Sequence, residues 1–268
     1  MTSNLNPLIS IITVVYNGEK FIESTIKSVI SQNYKNIEYI IIDGASTDGT
    51  IEVIKKYEND ISYWISEKDN GISDAFNKGI KRATGDLIGI INADDFYNDN
   101  ILELVAKNYD RSIDIYFGSI IKLNEDSSVR RFESSKNALQ SVDSCNMRFI
   151  YHPTFFMTSE LYEKYGYFDL NYKLAMDYEF LSRINFNKIK SKYIRDFICT
   201  MRTNGVSDIF NYKAKLEVIN AYRIRNNVVI DKNIVLAYYG SLKSYIRYKI
   251  TNFKIGRKIV EIKRYISK

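Results

Sequence analysis

The sequence predicts an α/β fold: a mostly parallel sheet flanked by helices, followed by a basic helical extension. Two observations lead there. Apolar, β-branched runs such as LISIITVVY and LIGII alternate along the chain with stretches of helical periodicity. Charge is also split: residues 208–268 carry 14 basic and 4 acidic residues, a net of +10, whereas the first 207 carry a net of −4. The division places a first domain at 1–207, with halves of about 8–95 and 96–207, and a helical extension at 208–268.

Leu8 to Tyr16 is a continuous apolar run, as a strand buried on both faces requires, and Asn17-Gly18 ends it. Glu19 to Gln32 follows, with Phe21, Ile22, Thr25, Ile26, Val29 and Ile30 on one helical face. Ile37 to Ile42 is the second strand. The turn DGASTDGT, Asp43 to Thr50, offers Ser46, Thr47 or Asp48 as cap for a helix reaching Tyr57. Ile61 to Ile65 reads as strand, Ile72 to Ala83 as helix, and Leu87 to Ile91 as buried strand ending in NADD. Beyond Ile101 a helix leads to a strand at 113–121, which Val129 to Phe132 can join. Ser134 to Asn146 is polar and irregular, a candidate mobile loop. Strand-like Thr154 to Met157, helices at 159–165 and 177–185, and a strand at 192–200 complete the first domain. After Ser207 the pattern is helical.

Composition excludes several classes. The chain has 268 residues, 45% of them hydrophobic, enough for a core and too many for a disordered protein. The two cysteines, Cys145 and Cys199, lack C-x-x-C spacing and read as structural. One histidine, His152, excludes any site that needs two. No apolar run approaches the ~18 residues of a membrane span, and Leu8–Tyr16 has no cationic lead-in, so a cytoplasmic setting is expected.

In open α/β sheets, ligands bind beyond the carboxyl ends of the strands. That rule gathers Asn17, Asp43, Asp94 and Asp95 along one edge. Adjacent carboxylates after an apolar strand are costly unless a cation or hydrogen-bond donors neutralise them, and hard oxygens suit Mg²⁺ or Mn²⁺. The plain alternative is a solvated helix-capping turn. The sequence has neither G-x-x-x-x-G-K-[ST] nor G-x-G-x-x-G, so a phosphate-bearing ligand would depend on a metal with lysine or arginine.

Three segments in order, ISIITVVYNGEKFIESTIKSVISQ, IIIDGASTDGT and SEKDNGISDAFNKGIKRATGDLIGIINADD, resemble the family 2 inverting glycosyltransferases with the GT-A (Rossmann-like) fold. The resemblance spans about residues 8–205, and YHPTFF, GYFDLNYKLAMDYEFLSRI and MRTNGVS match more loosely. It implies that Thr13, Tyr16 and Asn17 cradle a nucleotide base and that Asp43 recognises a base N–H. Asp94, with Asp95, matches the metal-binding end of a D-x-D element whose first position here is Asn92, an amide that can bind the ribose of the nucleotide. Asp177 in AMDYEF matches the catalytic base, with Glu179 the alternative and an N-cap the plain reading. Lys78 and Arg202 are candidate phosphate contacts, against a solvated helix face and a surface ion pair. His152 is a candidate acceptor or diphosphate contact, against a packed core role. Asp69, Asn70 and Asp169 read as turn formers, and Asp74 and Asn77 as orienting that loop or solvated.

The expected protein is therefore a metal-dependent inverting transferase. It takes a sugar from a nucleoside diphosphate sugar, a UDP-sugar foremost, to a saccharide or lipid-linked saccharide in surface polysaccharide or lipopolysaccharide synthesis. A nucleotidyltransferase would release pyrophosphate instead, and its Gly-rich start is missing from the first strand. The basic extension, with apolar stripes at Leu242, Tyr245, Ile246, Phe253, Ile259, Ile262 and Ile266, reads as an anionic membrane-surface element or as helices packed on the body. It lacks a nucleic-acid reading motif, so no nucleic acid partner is expected. Asn92 also leaves open a catalytically dead transferase.

Overall fold

In the computed structural model, which describes residues 6–145, 151–203, 211–243 and 245–246, β1 (Ile9–Val15) is buried along its whole length. It pairs in parallel with β2 (Ile37–Asp43) on one side and β4 (Leu87–Asn92) on the other, and β2 pairs in parallel with β3 (Tyr63–Ser66). The unbroken apolar runs are explained by this position, since a strand covered on both faces has no solvent side to alternate toward. Strand alternation still divides the side chains. Ile12, Val14, Ile40 and Ile42 face a core that includes α3 (Ile72–Arg82) and α6 (Met176–Arg183). Ile9, Ile11, Val15, Tyr39 and Ile41 face α1 (Ile22–Ile30), α2 (Thr50–Lys55) and α4 (Ile101–Lys107).

The second half of the sheet is mixed. β8 (Phe156–Thr158) runs antiparallel to both β4 and β6 (Ile115–Leu123), and β9 (Ser191–Arg202) runs parallel to β6 with a register shift between Phe117 and Ile120. β7 (Val129–Phe132) pairs antiparallel with β6, as the sequence indicated, and a two-residue β5 (Phe96–Tyr97) pairs antiparallel with β9. The order is β3-β2-β1-β4-β8-β6-β9-β5. Parallel pairing therefore dominates the first 92 residues and antiparallel pairing enters after them.

Three expectations shift in detail. The first helix begins at Ile22 rather than Glu19, because Gly18 O takes the N–H groups of Phe21 and Ile22 in a turn and Glu19 turns back to the Gly49 N–H. The described part of the 134–146 segment, up to Cys145, is anchored: Ala138–Ser144 is a 3₁₀ turn whose Ala138, Leu139 and Val142 are buried. None of the proposed caps is the N-cap of α2, which is Gly49; Asp48, just before it, accepts the Thr50 N–H at 3.1 Å. The extension supplies α7 (Asn211–Asn226) and a helix over 232–243. The stripe positions Phe253, Ile259, Ile262 and Ile266 lie outside the described residues. α5 (Ser159–Tyr165) completes the set of labelled helices.

The stretch from α5 to α6 is pinned to α3. Asn77 and Phe168 exchange hydrogen bonds, Nδ2 to Phe168 O at 2.8 Å and Phe168 N to Oδ1 at 2.9 Å, and Ser73 Oγ donates to Tyr172 O at 2.8 Å. Ser73 and Asn77 share one helical face by their i, i+4 spacing. Neither is a solvated residue or part of the 69–71 turn; both fasten the approach to α6.

Candidate active site

A cleft of about 720 Å³ is lined by the carboxyl ends of β1 and β4, the 69–72 turn, His152, the stretch entering α6, and the end of β9. Tyr16, Asn17, Asn92, Asp94, Asp95, His152, Asp177 and Arg202 all line it. Residues up to 186 positions apart in sequence thus converge where the strand-end rule places a ligand.

The first wall is a braced turn. Asn17 takes a left-handed conformation, φ 52°, which asparagine tolerates better than most residues. Its N–H donates to Ser46 Oγ at 2.8 Å, and its Oδ1 accepts the Thr47 N–H at 2.8 Å. Ser46 Oγ in turn donates to Asp43, whose Oδ2 also accepts Ser46 N at 2.9 Å and Ser66 Oγ at 2.6 Å. Asp43 is 0% exposed and does not line the cleft. Its carboxylate faces Ser46 and Ser66 beneath the turn. Tyr16, 66% exposed, stands over this floor as an open aromatic face.

On the opposite strand end, Asn92 Oδ1 is buried without a hydrogen-bond partner, and burial lifts the Asp94 carboxyl above the usual range while Arg202 and His152 pull it back. Both residues line the cleft, and the Asn92 oxygen is an acceptor without a partner at its edge. Among the described residues no group of three or more His, Cys, Asp or Glu is arranged to hold a metal ion. A divalent ion at Asn92 and Asp94 would take its remaining ligands from substrate phosphate and water, the usual habit of Mg²⁺. Asp95, expected as a second metal carboxylate, is 2% exposed and accepts the Arg202 N–H at 3.0 Å. Burial and the Asp94 charge push its carboxyl well up. It tethers β9 to the turn.

Arg202 is fixed by its surroundings. Its guanidinium lies 4.7 Å from the Phe21 ring centroid and 5.0 Å from that of Phe96. It donates to the Asp94 carbonyl and to Ser24 Oγ. Stacking of this kind fits arginine and not lysine. It brings a positive charge to the cleft beside Asp94.

Asp177 sits in the first turn of α6, where helix amides favour a carboxylate, and its Oδ1 accepts the Tyr178 N–H at 2.8 Å. His152 Nδ1 lies 3.8 Å from Asp177 Oδ2, an electrostatic neighbour beyond hydrogen-bond reach. His152 Nε2 is buried without a partner, and its ring tilts against Phe76 at 5.7 Å. The histidine is both packed and aimed at the site.

Besides Asp43, three candidates lie off the cleft. Thr13 is fully buried and its hydroxyl meets Tyr39 OH at 3.1 Å, because strand alternation turns it to the face shared by Ile11 and Val15. Lys78 pairs with Glu67 at 2.7 Å and donates to Lys68 O at 3.0 Å, and the Glu67 bond raises its pKa. It does not line the cleft. Glu179, the alternative base, is also off the cleft and binds Arg183, Oε1 to Nε at 2.9 Å. Phe21, Lys122 and Lys173 line the cleft without a sequence signal, since helical period assigns Phe21 to a core face and no motif singles out the two lysines. Asp69 does form its turn, accepting the Gly71 N–H at 2.8 Å, yet it also lines the cleft, and a Cβ on Gly44 would come within 2.6 Å of it.

Comparison with known proteins agrees with this architecture. Residues 10–177 match the family model described as glycosyl transferase family 2. An uncharacterized glycosyltransferase of Mycobacterium tuberculosis is 31% identical over 218 residues, covering 75% of this chain and 77% of its own. TuaG of Bacillus subtilis, provisionally named for teichuronic acid biosynthesis, is 36% identical over 104 residues, covering 38% of this chain and 41% of its own. The mannosyltransferase PcManGT of Pyrobaculum calidifontis, solved with GDP-Man and Mn²⁺, superposes with a TM-score of 0.64 at 18% identity, covering 88% of this chain and 68% of its own. S. aureus TarS 1–349 with UDP-GlcNAc gives 0.62 at 18% identity, covering 88% and 73%. At these identities the structural likeness establishes the fold, which is that of GT-A glycosyltransferases.

Proposed function

The chain belongs to glycosyl transferase family 2, and on that footing we propose that it transfers a sugar, with inversion, from a nucleoside diphosphate sugar to a hydroxyl of a saccharide or lipid-linked saccharide. A UDP-sugar is the favoured donor, and surface polysaccharide or lipopolysaccharide synthesis the setting. The observation that carries this reading is the convergence of Asn92, Asp94, Arg202 and Asp177 on one cleft. TuaG's name and the nucleotide sugars bound by TarS and PcManGT point the same way.

The chemistry follows from charge. As the acceptor oxygen bonds to the anomeric carbon, the bond to the diphosphate breaks and negative charge moves onto the leaving group. Arg202, held between two rings, offers a preorganised cation to that charge. Asp94 and Asn92 would hold a Mg²⁺ or Mn²⁺ ion, which when bound neutralises the diphosphate further. Asp177 takes the acceptor hydroxyl proton as general base. His152 beside it supplies a polar wall for the acceptor or diphosphate. Tyr16 and Asn17 flank the base of the nucleotide, and Asp43 acts through the Ser46 brace that shapes their turn.

A thermal-shift panel of UDP- and GDP-sugars with and without Mn²⁺ tests the donor. A ligand present at 100 times its Kd stabilises the native state by about 2.7 kcal/mol. A UDP-sugar should raise the midpoint in a Mn²⁺-dependent way. No shift with any nucleotide sugar would remove this reading.

The protein is further assigned to the cytoplasmic face of the membrane, held peripherally through 208–268. Val229, Ile230, Leu236, Tyr239 and Leu242 are exposed on the extension, which is strongly basic. No helix among the described residues is long and apolar enough to cross a membrane. Anionic lipid vesicles should retain the protein at low salt, with binding weakened as salt rises and lost on deleting 227–268. Equal retention of the deletion variant would assign the exposed face to another contact.

A further inference from the structure

The C-terminal extension meets the active site through α7, whose Ala214 lines the cleft and whose Glu217 holds the backbone beside it. Glu217, on α7, accepts three consecutive backbone N–H groups on a single oxygen: Lys173 at 3.1 Å, Leu174 at 2.8 Å and Ala175 at 2.9 Å. Successive amides turned toward one point form an anion-binding nest, and here the chain supplies its own anion. Charge-assisted bonds to backbone amides are among the stronger hydrogen bonds. The clasped residues matter for their position. Lys173 and Leu174 line the cleft, and Ala175 stands two residues before Asp177. The carbonyl of Ala175 accepts the Glu179 N–H at 3.0 Å, so this one residue is held by Glu217 through its N–H and by the first turn of α6 through its C=O. Asn220, one turn further along α7, donates to Tyr172 OH at 3.2 Å, while Ser73 holds the Tyr172 carbonyl from α3.

We propose that Glu217 is a positioning residue for Asp177: its carboxylate fixes the 173–175 backbone and so sets where α6 presents the base. This rests on the assignment of Asp177 as general base and adds to it a residue 40 positions beyond the segment matched by the family model. It makes α7 part of the catalytic apparatus. The donor-binding walls, built from β1, β4 and β9, do not contact Glu217 in these hydrogen bonds, so the expected defect lies in turnover and not in donor affinity.

Glu217→Ala and the isosteric Glu217→Gln, each made in the full chain, test it by two readouts. Amide hydrogen exchange at 173–175 should accelerate in Glu217→Ala and by a smaller amount in Glu217→Gln, which keeps one acceptor oxygen. The kcat should fall about 10–100-fold in Glu217→Ala, as sub-ångström to 1 Å misplacement of a catalytic group does. Glu217→Gln should recover part of it, and donor Kd should stay within about twofold in both, the small change expected when a uniform binding term is untouched. In an Asp177→Asn background, Glu217→Ala should cost no further activity, because both act through one group. Unchanged exchange, an unchanged kcat, or equal losses of kcat and donor binding would overturn the proposal. If Glu217→Ala fails to fold, Glu217→Gln decides by the same measures. Turnover surviving in Asp177→Asn alone would instead refute the base, whereas a dead Asp177→Asn with neutral Glu217 variants would refute this proposal only.

Discussion

Asp177→Asn is expected to lower transfer by about 10³-fold, the middle of the range for loss of a general base, with donor affinity within about twofold of wild type. The substitution is isosteric. An Asn Oδ1 can still accept the Tyr178 N–H that Asp177 accepts at 2.8 Å, so α6 keeps its first turn. What is lost is a group able to take a proton and to exist as an anion at the helix start. His152 stands close to Asp177, but at 3.8 Å it is a neighbour and not a relay in this geometry. Nucleotide binding by calorimetry and kcat with a saccharide acceptor separate the two effects. Turnover retained near the wild-type rate would refute the assigned base, and equal losses in kcat and donor binding would show that Asp177 shapes the pocket instead.

The second large effect is expected at Asp94. Asp94→Ala should reduce transfer by about 10²–10³-fold, the scale for removing one preorganised stabiliser of developing charge. Here the donor site itself is affected, so the donor Kd should rise together with the fall in kcat, in contrast to Asp177→Asn. Wild-type activity should vanish in EDTA and return with Mn²⁺ or Mg²⁺, and the residual activity of Asp94→Ala should be indifferent to both. Asp95→Ala is not an equivalent test. The Asp95 carboxylate accepts the Arg202 N–H, so its loss loosens the end of β9 and the guanidinium with it. An Asp94→Ala enzyme that keeps full, EDTA-sensitive activity would place the metal elsewhere or remove it from the reaction.

Strand alternation and helical period made much of this legible. The runs at Leu8–Tyr16, Ile37–Ile42 and Leu87–Ile91 announce buried strands, and their polar ends mark Asn17, Asn92 and Asp94, all of which the structure brings to one cleft. Alternation also held information about Thr13 that the motif obscured: a residue between Ile11 and Val15 on a two-residue period shares their face, and the structure buries it there. Lys78 and Glu179 were lost for another reason. Their partners, Glu67 and Arg183, stand within 11 residues, yet whether such a charge faces solvent, a ligand or an ion pair depends on how its helix is rolled against the sheet.

Local chemistry in the chain settles which segments become strands and helices, because that depends on spacing a few residues apart. The same chemistry places polar groups at the strand ends, where an α/β sheet offers a crevice. Tertiary packing alone decides which of those groups face the crevice and which serve the framework. It turns Asp43 inward to Ser46 and Ser66, commits Asp95 to β9, stacks Arg202 between Phe21 and Phe96, and delivers Glu217 to three amides 42 to 44 residues away. Such contacts join segments whose separation carries no periodic signal, and they exist only once the sheet and its covering helices have brought those segments together.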